Sequence, residues 1–163
     1  VDEVMADPSW PAGDKDRRRS MERETESLWV TYEGEGIYGV LGTPGAENNI
    51  SSPKSPNSSD ADGEADHLVI SEIYPDQTDE NKDFVELYNP TSSTIPLSNW
   101  SLRVQGSDAS STAGIRKIPF SSSSEIASKE YFLIGLGKYV SSTVPGPDFV
   151  WASGFLTSKR LKI

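Results

Sequence analysis

The chain has 163 residues, of which 34% are apolar and 25% charged, with four Trp, six Tyr and five Phe; this suffices for one well-cored domain and falls short of two. A formal charge of −10 and a pI near 4.5 repel phosphate backbones and anionic lipid, so nucleic-acid binding and membrane insertion are disfavoured, and no apolar run approaches the roughly 18 residues a membrane span needs. With no cysteine there is no disulfide framework, no thiolate nucleophile and no Cys-ligated zinc.

Taken in chain order, Val1-Asp2-Glu3-Val4-Met5 alternates like a strand, turn residues fill DPSWPAGDKDRR, and Ser20-Met21-Glu22-Arg23 begins a second extended piece. A helix over Arg17 to Leu28 is the alternative, although only Met21 and Leu28 mark an apolar stripe on it. Residues 50–67 read as a linker: Ser, Pro, Asp and Asn dominate and almost nothing apolar is present to repay ordering by burial. Beyond it the pattern changes to short period-two runs separated by turn chemistry, the signature of an all-β sandwich or barrel. The predicted strands are Leu68 to Tyr74, Phe84 to Tyr88, Trp100 to Gln105, Ile115 to Phe120, Tyr131 to Leu136, Phe149 to Ala152 and a truncated Arg160 to Ile163. Tyr131 to Leu136 is apolar enough to be buried on both faces. The abrupt first and last residues read as the limits of an excerpt from a longer protein.

Alternation predicts Ile70, Glu72 and Tyr74 on one face of their strand, and Phe84, Glu86 and Tyr88 on one face of the next. If the two strands are antiparallel neighbours, Glu72 and Glu86 share a face. Like charges across a ladder are unfavourable, so a cation is expected nearby: Arg103 first, Arg23 second. The expected role is a structural ion-pair cluster, with a metal or acid/base pair as the alternative. Trp100 is expected to anchor the core together with Trp29 and Trp151, with an aromatic ligand platform of all four tryptophans as the alternative, while Trp10, between prolines, faces solvent. Two acidic loops are weak calcium candidates, since hard cations want several oxygens: Asp60, Asp62 and Asp66 in the linker, and Asp76, Asp79 and Asp83 in the first hairpin. The first lacks the bidentate Glu of a complete calcium loop. His67, the one histidine, sits at the linker boundary away from any nucleophile. Gly135-x-Gly137 lacks the third glycine and helix of a phosphate cradle. Arg17-Arg18-Arg19 reads as a solvent-facing turn.

The blocks "LVISEIYP", "DFVELYNPTSSTIPLSNWSLR" and "KEYFLIGL" together resemble the opening two thirds of a lamin tail domain, an immunoglobulin-like module. The N-terminal stretch, with its Asp-containing strand, Ser20-Met21-Glu22-Arg23, Trp29 and Thr43-Pro44-Gly45-Ala46-Glu47-Asn48, is similar to the closing third of the same family. The resemblance therefore divides the chain into residues 1–49 as the end of one copy, the linker 50–67, and residues 68–163 as the start of the next, as in a prokaryotic tandem array. Either two incomplete neighbours stand side by side, or the two parts close one sandwich in circularly permuted order. A closed sandwich would place residues 1–5 in the sheet system of residues 68–163.

What the resemblance implies for function is a non-catalytic structural or interaction module of a larger exported multidomain protein, extracellular or in the cell envelope. It is not an enzyme on this reading, and it needs no cofactor, calcium aside. Its partners would be other domains of the same polypeptide, proteins or surface polysaccharide. The alternatives are a substrate- or surface-attachment domain accompanying an exported hydrolase or nuclease, and a calcium-stabilised adhesion module.

Overall fold

Short apolar runs with period two can bury one face only by pairing edge to edge, and that requirement governs the whole chain. The computed structural model describes residues 2–6, 9–14, 16–25, 27–36, 40–49, 65–74, 83–106, 115–137, 139, 146–151 and 158–163. Among these the chain forms strands and no helix: β1 (Glu3–Met5), β2 (Met21–Arg23), β3 (Trp29–Thr31), β4 (Val69–Tyr74), β5 (Phe84–Tyr88), β6 (Ile95–Pro96), β7 (Ser101–Gly106), β8 (Ile115–Pro119), β9 (Glu125–Ile126), β10 (Tyr131–Leu136), β11 (Phe149–Trp151) and β12 (Ser158–Lys162). They assemble into a four-stranded sheet in the order β1-β12-β7-β8, a six-stranded sheet in the order β11-β10-β5-β4-β2-β3, and a two-stranded ribbon of β6 and β9. The fold is an all-β, immunoglobulin-like sandwich.

One core lies between the two sheets. Val4, Leu102, Val104, Ile118 and Ile163 face it from the four-stranded side, and Met21, Ile70, Ile73, Val85, Leu87 and Ile134 from the six-stranded side. Each fully buried aliphatic side chain contributes about 1.5–3 kcal/mol relative to exposure. Elements before and after residues 50–64 are interleaved in both sheets: Val4 pairs with Leu161 across β1 and β12, and Met21 pairs with Ile73 across β2 and β4. Val4 and Met21 are the buried residues that the first part adds to this core.

The helical alternative over Arg17 to Leu28 does not form. Residues 16–18 make a turn, Arg18 adopting φ 56°, and Met21 to Arg23 is a strand. Burying Met21 against Ile73 while Glu22 points to the opposite face requires period two, and Leu28, 49% exposed, contributes no helical stripe. In the turn the Asp14 carboxylate accepts from the Asp16 and Arg17 N–H groups at 3.0 Å. Arg17 and Arg18 are exposed, whereas Arg19 turns back to donate to the Tyr32 carbonyl at 2.6 Å.

β4 departs from simple alternation. Ile70 pairs with Leu87 but Glu72 pairs with Glu86, so Ser71 is the extra residue of a β-bulge. Ile70 therefore faces the core with Ile73, and the expected grouping of Ile70 with Glu72 and Tyr74 is corrected: Val69, Glu72 and Tyr74 share the outer face. That outer face is also covered. Val40, Tyr74, Phe84, Leu133 and Tyr139 form a second apolar cluster on it, which buries β10 on both sides. The missing side chain of Gly135 makes room for Tyr139, whose Cβ would lie 2.8 Å from a Cβ built there.

All four tryptophans, Trp10, Trp29, Trp100 and Trp151, pack half-buried around the margin of the main core. They do not form a common aromatic platform, and Trp10 is a core-packing residue instead of a solvent-facing one.

Candidate functional site

Period two along β2, β4 and β5 brings three glutamates side by side. Glu22 pairs with Glu72, and Glu72 pairs with Glu86, forming a rung of carboxyls across three strands on the outer face of the six-stranded sheet. All three are completely buried. Glu72 and Glu86 are on a shared face as alternation implies; Glu22 is the member that sequence reasoning missed.

Among the described residues no cation meets them. Arg103 lies on β7 in the other sheet, exposed on the side opposite Leu102 and Val104 and in register with Lys117 and Lys162. The expectation that it compensates the glutamates is corrected, because alternation turns it to solvent and the sandwich core lies between. Arg23 follows Glu22 on β2 and thus points to the opposite face. It pairs with Asp2, donates from Nε to the Ile70 carbonyl at 2.7 Å, and lies over the Trp29 ring at 4.6 Å. Arg103→Met should change the unfolding free energy in a urea titration by no more than about 0.5 kcal/mol, as for an ordinary surface substitution.

The partners of the rung come from the segment 40–49, which folds back over it. Thr43 donates its N–H to both Glu72 oxygens, at 3.1 and 3.2 Å, and its Oγ1 hydroxyl to Glu22 Oε1 at 2.6 Å. The Gly45 N–H donates to Glu86 Oε2, and Gly45 adopts φ +75°, a left-handed turn conformation in which a side chain is strained. Asn48 extends its amide across two strands: Nδ2 donates to the Arg23 carbonyl at 3.0 Å and to the Ser71 carbonyl at 3.1 Å. The second is the carbonyl of the bulged residue, so the Asn48 amide supplies a partner at the point where the ladder is irregular. Thr43, Gly45 and Asn48 of the Thr-Pro-Gly-Ala-Glu-Asn block thus form a clamp.

Burial without a cation has an electrostatic consequence. It raises Glu72 to about 8, with the neighbouring Glu22 charge adding to the effect. Burial likewise pushes Glu86 well above the ordinary carboxylate range, reinforced by Glu72, and raises Glu22. Near neutral pH Glu72 therefore largely keeps its proton, and Glu86 and Glu22 are displaced in the same direction. Glu22 Oε2, Glu86 Oε1 and the Tyr139 hydroxyl are buried without a hydrogen-bonding partner; an unpartnered oxygen costs far less to bury neutral than ionised. Tyr139 is itself held up to about 12 by burial and by the nearby glutamates.

This arrangement joins segments; it presents no carboxyl to solvent. Among the described residues no group of three acidic or His side chains is placed to hold a metal ion. Of the calcium candidates, Asp60, Asp62, Asp76 and Asp79 lie outside the described residues. Asp66 is fully exposed at its side chain and meets His67 at 3.1 Å. Asp83 is buried at the entry to β5, its backbone carbonyl accepting from the Leu136 N–H at 2.9 Å.

The lamin tail domain family matches residues 62–159, more than half of the chain and inclusive of β4 through β11. The chain belongs to this family. No curated protein and no solved structure matches it. Glu72 and Glu86 lie inside the lamin tail domain match, whereas Glu22, Thr43, Gly45 and Asn48, which complete the rung and its clamp, lie before it.

Proposed function

We propose that the protein is a non-catalytic structural or interaction module of a larger, exported multidomain polypeptide, built as a lamin tail domain whose closing third precedes its opening two thirds. The supporting observation is the use to which its most reactive residues are put. Glu22, Glu72 and Glu86 are fully buried, and the partners of Glu72 and Glu86 are a clamp on the other side of the 50–64 stretch. Side chains that could serve as general acid and base are occupied in closing a sandwich, as expected of a domain selected for holding its shape. The circularly permuted reading is supported by the convergence of Asp2 and Ile163, where the Ile163 N–H donates to the Asp2 carbonyl at 2.9 Å. A single hairpin there would restore an uninterrupted order. The tandem-array origin is the simplest source of such a segment order, and surface exposure on a cell or in the envelope is the setting in which such spacers work.

The test pairs a chemical assay with a retention assay. Wild-type protein and the Glu72→Gln/Glu86→Gln variant are incubated with phosphodiester, phosphomonoester and glycoside substrates, and no turnover is expected from either. Turnover present in the wild type and lost in the variant overturns the reading. Retention on beads carrying cell-surface polysaccharide separates the two non-catalytic roles: a spacer washes off, and an attachment domain stays.

A further inference from the structure

The sandwich is closed by contacts that all run between residues on opposite sides of the 50–64 stretch. β1 pairs with β12, β2 with β4, Asp2 accepts from the Ile70 N–H at 2.8 Å, and Thr43, Gly45 and Asn48 clamp Glu72, Glu86 and Ser71. Val4 and Met21 complete the core from the first part. None of these contacts depends on which polypeptide supplies residues 2–49. The covalent tie between the parts is a Ser-, Pro- and Asp-rich stretch with almost no apolar residue, so its sequence contributes no burial that would reward one connection over another.

We propose that the sandwich is an exchange interface between copies of this chain, residues 2–49 of one copy closing residues 65–163 of another and completing its glutamate rung. The inference stands on the split core and does not rest on the function proposed above. Exchange creates no new contact and forfeits none, so concentration decides between the closed and exchanged forms. A short covalent tie between two binding segments gives an effective concentration on the order of millimolar. Closure within one chain therefore dominates in dilute solution. Exchange competes when copies are held close together, where each chain can donate its first part and receive its neighbour's. The partner is thus a second copy of this chain, recognised by β-ladder register and by the fit of the Thr43 to Asn48 clamp.

Two full-length variants test this by complementation. Met21→Asp places a charge in the core from the first part, and Ile134→Asp does so from the second. Each alone is expected to lose the cooperative thermal transition. Co-refolded from denaturant at about 1 mM, near the effective concentration of the tether, the pair has one sound first part and one sound second part. The mixture should recover a cooperative melt at up to about half the wild-type amplitude, in a species of twice the chain mass by light scattering. A mixture no more cooperative than its components overturns the proposal. Wild-type chains bearing two different affinity tags supply a readout independent of either substitution. After co-refolding at the same concentration, capture on one tag should retain the other through dilution, and unfolding followed by refolding at low micromolar concentration should erase the association. Recovery of a single tag, or association that survives dilute refolding, overturns it.

Discussion

Raising the pH from about 5 to about 8.5 will destabilise this protein, the reverse of the trend for proteins held by ionised carboxylates. Folded Glu72 keeps its proton up to about 8, whereas the unfolded chain releases it near the ordinary value of 4.5. Between those two values the folded state binds more protons than the unfolded state, so stability falls as pH rises, by about 1.4 kcal/mol per pH unit for one such group. The contribution is fully present below 4.5 and is lost as pH passes through the folded value. Glu86 and Glu22 are shifted in the same direction by the same cause, which steepens the decline. Urea midpoints measured across this range should drop by an amount worth several kcal/mol. Glu72→Gln keeps an acceptor oxygen for the Thr43 N–H and has no proton to lose, so the variant should match the wild type near pH 5 and exceed it near pH 8.5. A wild-type stability that climbs with pH, or a Gln variant with an unchanged slope, would show that the rung is ionised and compensated.

The rung also shows how far residue patterns carry. Alternation in "VISEIY" and "FVELY" was sufficient to place Glu72 and Glu86 on one face, because register follows from burying Ile73 against Val85. The bulge at Ser71 has no comparable mark in the sequence: it contains neither glycine nor proline, and its carbonyl finds the Asn48 amide only in the folded chain. Glu22 was hidden for a different reason, since its neighbour lies beyond the 50–64 stretch and the local sequence around β2 also suits a helix. The assignment of Arg103 as a counter-ion rested on the premise that adjacent carboxyls must be ionised. Burial offers the other solution, retention of the proton, with backbone N–H groups from a turn as partners. A legible signal for that solution was present in Thr43-Pro44-Gly45-Ala46-Glu47-Asn48, where a turn-forming pair is flanked by a hydroxyl and an amide able to cap buried acceptors. The core was more legible, since Leu102, Val104 and Ile118 follow from period two alone.

Arg23→Met should cost about 3–5 kcal/mol, the loss expected when one member of a buried ion pair is removed and the other stays. The Arg23 side chain is 9% exposed and that of Asp2 13%. Asp2 precedes β1 at the edge of the four-stranded sheet, while Arg23 and Ile70 belong to β2 and β4 of the six-stranded sheet. The guanidinium therefore ties the two sheets together, bonding Asp2 on one side and the Ile70 carbonyl at 2.7 Å on the other. Methionine fills much of the same volume against Trp29 but leaves the Asp2 carboxylate with the Ile70 N–H, at 2.8 Å, in place of a positive charge. Asp2→Asn should cost less, about 1–2 kcal/mol, because an amide oxygen still accepts from Ile70. The double variant should recover part of the Arg23→Met loss, since the buried charge that drives it is gone. Equal losses from the single and double variants would assign the cost to packing against Trp29. Both members of the pair precede the 50–64 stretch and both bond to Ile70 beyond it, so the recovered fraction measures the pair's own coupling within residues 2–49.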